Sequence, residues 1–284
     1  MTNEEINKYF DYHNANIRLL KIGFDNIRKQ IKGLYKSKNS AGSYIYSLND
    51  TNNEKVKLKE TEKALSRILS GIQVSWAEES LKRLLYENNL LNDNQRNYIL
   101  NKPLDQKWIE TLKIVFCIAY DLVPVSNDIC SGVNIRNERR NLGDNLVEQY
   151  INLRSIIIQH LTPNFQIRNK VQHGEWNFAF KPPISDEFSQ DWTDKINKEN
   201  LITTTSRFNL VSSVYNLIVD LGRFKSDSFA LDSITTPFEY FYNNYMKKIN
   251  FEVRKIQNSD IENFILDIVR KEQKGQYYRD RNNN

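Results

Sequence analysis

The chain has 284 residues, of which 39% are hydrophobic and 26% charged, with a formal net charge of +5 and a mean hydropathy of −0.64. That length allows one large core or two small ones, and no apolar run approaches the ~18 residues a bilayer-crossing helix requires, so a soluble chain is expected. The modest positive charge does not by itself imply nucleic acid. The opening Met-Thr-Asn-Glu-Glu-Ile lacks the basic start and apolar stretch of a secretion signal. The two cysteines, Cys117 and Cys130, supply neither a disulfide framework nor a zinc site. Both features point to a cytoplasmic location.

The first predicted element is a helix from Asn3 to Tyr35, with apolar residues at Ile6, Phe10, Ile17, Leu20, Phe24, Ile27, Ile31 and Leu34 and His13 filling the remaining seam position. This 4-3 spacing is a heptad seam that can pair within the chain or with a second subunit. Arg18, Lys21, Arg28, Lys29, Lys32, Lys36 and Lys38 face only Asp25 in this stretch, and the simplest reading is a solvated helix face. A polar loop follows over Ser37 to Asn53. Residues 54 to 89 then read as a helix carrying Ile72, Trp76, Leu81, Leu84 and Leu85, and 93 to 101 as a short one ending before Pro103.

A helix from Asp105 to Leu122 is expected to stop at Pro124, followed by a surface loop over 125 to 143 that holds Arg136, Arg139 and Arg140. The stretch from Asp144 to Leu161 is apolar on most of its circumference and should run through the core. After it, Thr162 before Pro163 reads as a cap and first-turn proline, and Gly174 as a left-handed stop, so a short helix is predicted from Pro163 to His173 with Ile167 and Val171 on its buried side. Phe178 to Trp192 reads as irregular, around Pro182 and Pro183. Helices follow at Arg207 to Phe224 and at Phe238 to Arg270, the latter interrupted near Asn258, and the tail after Lys271 reads as frayed. No strand alternation or internal repeat is evident, so the expected fold class is all-α. The expected division is 1–53 as a long helix and loop packed on the core, 54–181 as the core carrying the motif, and 182–284 as a helical extension.

The one stretch with chemical potential is Arg168-Asn169-Lys170-Val171-Gln172-His173-Gly174-Glu175-Trp176. It joins a permanent cation, an amide and an imidazole that can exchange protons near neutral pH. Asn169 and His173 lie one turn apart on one face, whereas Arg168 points about 140° away from His173. A second copy of the chain could close that gap, which favours a homodimer. An Arg and a His at this spacing is a weak pattern alone. The chain contains another, Arg154 and His160, on the apolar core helix, where His160 reads as a structural or capping residue.

The segment 168–176 resembles the Arg-polar-x3-His signature of the HEPN superfamily, all-helical domains found in prokaryotic toxins and antiviral ribonucleases. The upstream segments 75–86 and 107–116 are similar to the helices that precede this motif in bacterial members. The resemblance covers residues 60 to 180. It implies a HEPN-like helical bundle with extra N- and C-terminal helices, and a metal-independent endoribonuclease acting as a dimer. On that basis Arg168 polarises the scissile phosphate, Asn169 orients the site and His173 is general acid or base.

RNA carries its own nucleophile in the 2′-hydroxyl, so such an enzyme needs no cofactor and no metal. Lys170, Gln172, Trp176 and Glu78 are candidate substrate-binding residues. Trp76 and Trp108 are expected in the core, while Trp176 has the shape to stack on a base. The implied partners are RNA, a second copy of the chain, and an antitoxin or other regulatory protein in a toxin or phage-defence role. The alternatives are a non-catalytic HEPN-type module that binds RNA, a nucleotide or a partner, and a helical structural interaction protein. Solvent exposure of His173 separates the catalytic reading from the structural one.

Overall fold

A computed structural model describes residues 1–47, 53–87, 90–122, 130–180, 187–226 and 237–282, without the side chains of 131, 224–226, 237–238 and 276–282. Pro124, Pro182 and Pro183, with the rest of residues 48–52, 123–129 and 181–186, lie outside the described residues. Among the described residues the fold is all-α, and β pairing is limited to two isolated bridges, Lys38 with Tyr44 and Phe180 with Phe188. No described helix is long and apolar enough to cross a membrane.

Eleven α-helical segments are described. They are α1 (Asn3–Tyr35), α2 (Asn53–Leu85), α3 (Asp93–Leu100), α4 (Leu104–Ala119), α5 (Arg139–Leu142), α6 (Asp144–His160), α7 (Thr162–Gln172), α8 (Gln190–Asn197), α9 (Leu201–Ser226), α10 (Pro237–Gln257) and α11 (Ile261–Asn282). The chain forms two compact units, Met1–Leu20 with Val74–Gln166 and Ser206–Arg254, and Lys21–Gln73 with Ile167–Thr205 and Lys255–Asn284. This division differs from one drawn along the sequence, because the unit boundaries fall inside long helices rather than in linkers.

The seam of α1 behaves as its spacing dictates. Phe24 and Ile31 are buried and the other seam residues half-buried, while Tyr12, Leu19 and Ile22 on other faces are exposed. The seam is therefore covered within the chain and does not argue for a second subunit. The basic residues of this stretch are mostly solvated, with Arg28 paired to Asp25 at 3.0 Å and Lys36 to Glu272 at 2.6 Å.

In the first unit, α2, α4, α6 and α9 bury Leu81, Leu84, Trp108, Phe116, Leu153, Ile157, Val214 and Leu217, so apolar faces meet as the 3.6 periodicity requires. Trp76 is buried as well and packs its ring 4.2 Å from Phe208. Arg96 is buried and terminates α2: its Nε donates to the Leu85 carbonyl and Nη2 to the Leu91 carbonyl, while Nη1 meets Asp93. A Cβ on Gly222 would collide with Leu90 Cδ1, so the absence of a side chain there lets Leu90 lie directly against α9.

Several elements depart from the sequence expectation. The loop at 125–143 is structured where described: 3₁₀ turns at Cys130–Gly132 and Ile135–Glu138 lead into α5, Ile135 is buried, and Arg139 pairs with Asp144 and Glu148. Helix α8 occupies part of the stretch expected to be irregular, because Ser189 Oγ accepts from the Trp192 amide and Ile196 fills a core position. Helix α9 starts at Leu201 rather than Arg207, since Asn200 Oδ1 accepts from the amides of Ile202 and Thr203. The expected break near Asn258 separates α10 from α11, with Asp260 Oδ1 capping the Asn263 amide. The predicted frayed tail is instead helical to Asn282.

Candidate functional site

Helix α7 begins one residue earlier than its sequence signals suggest: the Leu161 carbonyl accepts from the amides of Asn164 and Phe165. Asn164 Nδ2 also closes back on the His160 carbonyl at 2.7 Å, tying the end of α6 to the start of α7. The buried side is the expected one. Ile167 and Val171 cluster with Ala179 and Ile196, with Trp192 packed against them.

The C-terminal end of α7 is a Schellman turn. The Glu175 amide donates to the Lys170 carbonyl at 3.0 Å and the Gly174 amide to the Val171 carbonyl at 3.1 Å, with Gly174 at φ +87°. An ion pair takes the place of the usual hydrophobic contact across this turn, Lys170 Nζ lying 3.0 Å from Glu175 Oε2. The same two side chains clamp Phe180, Lys170 donating to its carbonyl and Glu175 accepting from its amide. Trp176 Nε1 donates to the Val171 carbonyl at 2.9 Å, satisfying one of the exposed helix-end acceptors.

Trp176 is in turn held from outside the helix. Arg67, 1% exposed, donates Nε to the Trp176 carbonyl, Nη1 to the Glu199 carbonyl and Nη2 to Asn197 Oδ1. Neither Arg67 nor Glu175 stood out in the sequence. The lysine five residues before Glu175, across a glycine stop, was the only local signal for the latter.

The candidate residues therefore separate into two groups. Lys170 and Trp176 are engaged in building the turn, although Trp176 remains 38% exposed. Asn169 and His173 are exposed on one face, one turn apart, and the His173 amide donates to the Asn169 carbonyl at 3.1 Å. Arg168 is half-buried and its Nη1 donates to exposed Gln172 at 3.1 Å, so the guanidinium runs along its own side of the helix toward the same C-terminal end. Glu78 belongs to the other compact unit, where it pairs with Lys82 at 3.2 Å.

The two other histidines have different surroundings. His160 is half-buried, and burial together with the charge of Arg207 pushes its pKa below the usual imidazole range. His13 binds Glu79 at 2.8 Å and stacks on Tyr86. Burial raises the Glu79 carboxyl, but hydrogen bonds from His13, Asn16 and Lys82 outweigh it and bring it to about 2. Among the described residues no group of three or more His, Cys, Asp or Glu side chains converges as a metal site. Compared with known proteins, the chain matches no family model, no curated protein and no solved structure.

Proposed function

We propose that this chain is a metal-independent HEPN-type endoribonuclease that cleaves RNA by attack of the 2′-hydroxyl, with Arg168, Asn169 and His173 as its catalytic residues. The observation that carries the reading is the exposure of His173 beside Asn169 at a helix end held from several directions. A general acid–base needs both solvent access for proton exchange and a fixed position, and this imidazole combines exposure with a well-anchored backbone. Arg168 would neutralise charge on the phosphorane and Asn169 would orient the phosphate. The product is a 2′,3′-cyclic phosphate with a 5′-hydroxyl end.

The cation and the imidazole leave α7 on different sides, so the reading includes a homodimer in which the Arg168 of one copy serves the His173 of another. A toxin or phage-defence role, cytoplasmic location and control by an antitoxin belong to the same proposal. The contact of Arg168 with Gln172 favours one alternative, a non-catalytic module that binds RNA without cutting it.

The deciding experiment is incubation of the purified chain with total RNA in excess EDTA, with end-group analysis of the products. Cleavage to cyclic phosphates that His173→Ala removes supports the enzyme. Retention of RNA without cleavage supports the binding module. Light scattering across a concentration series tests the dimer, which a strict monomer at tens of micromolar would remove.

A further inference from the structure

Cys117 and Cys130 are too few for a disulfide framework by count, yet the fold brings them together inside the first compact unit. Cys117 lies buried in the last turn of α4. Cys130 opens the 3₁₀ turn Cys130–Gly132, which packs on α4 with Cα atoms within 8 Å. The two thiols are hydrogen-bond partners.

Both backbones are fixed. Helix α4 ends in a Schellman turn, the Leu122 amide donating to the Cys117 carbonyl at 3.0 Å and the Asp121 amide to the Ile118 carbonyl at 3.4 Å, with Asp121 at φ +50°. The Cys130 carbonyl accepts from the Val133 amide at 3.2 Å. Next to Cys117 in the chain, Phe116 packs its ring 4.8 Å from Tyr150 of α6, and Ile135 is buried just beyond the turn. The sulfurs therefore meet between two anchored segments.

The thiols are not equivalent. Cys117 is 0% exposed and Cys130 3%, so a small oxidant reaches Cys130 first. Their hydrogen bond, helped by burial, keeps the proton on Cys117 and pushes its pKa up; accepting that bond outweighs burial at Cys130 and brings it below the usual thiol range. Lys113, one turn earlier on α4, favours a thiolate on either sulfur, while the carboxylates of Glu110 on α4 and Glu138 in the 3₁₀ turn Ile135–Glu138 oppose it. A thiolate beside a protonated thiol is the arrangement of a reacting and a resolving sulfur.

We infer that Cys117 and Cys130 form a reversible disulfide when the chain meets hydrogen peroxide. The Cys130 sulfur attacks one peroxide oxygen; the O–O bond breaks, leaving a sulfenic acid on Cys130 and, after protonation, one water. The Cys117 sulfur then attacks the Cys130 sulfur, the S–O bond breaks, and the departing hydroxide takes the Cys117 proton as a second water. Two thiols lose two electrons and one peroxide is reduced to two waters. A dithiol reverses the step by exchange. The reaction involves no residue of α7 and stands apart from the ribonuclease proposal.

The test treats the folded full chain with hydrogen peroxide and maps it by non-reducing peptide mass spectrometry, with dithiothreitol-treated chain as reference. Expected are a Cys117 to Cys130 bridge within one chain, complete reversal by dithiothreitol, and a higher melting temperature in the bridged form. With dimedone present, Cys117→Ala should accumulate labelled sulfenic acid on Cys130, whereas Cys130→Ala should leave Cys117 labelled about tenfold less. Cys117→Ser and Cys130→Ser repeat the comparison where an alanine variant melts well below the parent. Lys113→Gln should slow bridging several-fold. The inference is overturned if the native chain keeps both thiols in millimolar peroxide, if bridges form only between chains, or if the pair closes only after unfolding in urea. Labelling of Cys117 in preference to Cys130 overturns the assigned order of attack.

Discussion

Arg154 with His160 and Arg168 with His173 both place a histidine five or six positions after an arginine, on successive helices, and they have opposite environments. His160 ends α6 half-buried, with Arg207 near enough to depress its pKa and its carbonyl engaged by Asn164. His173 follows α7 exposed, while the backbone around it is pinned by Gly174, the Lys170 to Glu175 pair and Trp176. The residue pair is common to both and the spacing differs by one position. What differs is whether the imidazole reaches solvent from a rigid support, which is the condition for proton transfer to a large substrate.

The sharpest way to break this contrast is to remove each imidazole. His173→Ala is expected to reduce RNA cleavage by 10²- to 10⁴-fold with little change in melting temperature, and His160→Ala to change melting while leaving cleavage largely intact. Rates and melting curves on both variants check this; a His173→Ala protein with full activity would end the ribonuclease reading.

The rigid support is tested through Arg67. Arg67→Ala leaves the buried Glu199 carbonyl, and the part-buried Trp176 carbonyl and Asn197 Oδ1, without this donor, with an expected loss of about 3 kcal/mol in urea unfolding. An unchanged midpoint would mean the turn at Trp176 is held by its own contacts. Gly174→Ala is a smaller perturbation of the same support. Its Cβ meets nothing within 4 Å, so the penalty is the left-handed φ of +87°, about 1–2 kcal/mol by urea unfolding.

The smallest effect concerns pH. The folded pKa of His160 is depressed, so between that value and the ordinary ~6.5 the unfolded chain binds a proton that the native chain does not. The His160 contribution to stability is thus complete above pH 6.5 and declines as pH falls below it. Melting curves from pH 7.5 to 5.5 should show a shallower decline for His160→Gln than for the parent. Glu79, held at about 2, acts in a separate window below the ordinary carboxylate range.

Much of the helical layout was legible along the chain. The bounds of α1 follow from an uninterrupted heptad seam, the end of α7 from Gly174, and the break between α10 and α11 from the polar stretch at Asn258 to Asp260, because periodicity and capping act within a few residues. Helix α8 was not legible. It is short, and its place depends on Ile196 reaching a core formed with α7 and on Thr193 Oγ1 accepting from the Ala179 amide. The start of α9 was obscured by Thr203, Thr204 and Thr205, whose branched side chains lower helix propensity, and is set instead by the Asn200 cap.

The candidate site divides the same way. Residue types and spacing were enough to single out Arg168, Asn169 and His173 and to put the last two on one face, since helical geometry makes neighbours of residues four apart. Spacing could not separate His173 from His160, nor reveal that Lys170 would be taken up by Glu175 and Phe180, nor that Arg67, more than a hundred positions upstream, would hold Trp176. Those outcomes depend on which distant backbone groups come within hydrogen-bond reach once the chain is packed, and a local pattern carries no information about that.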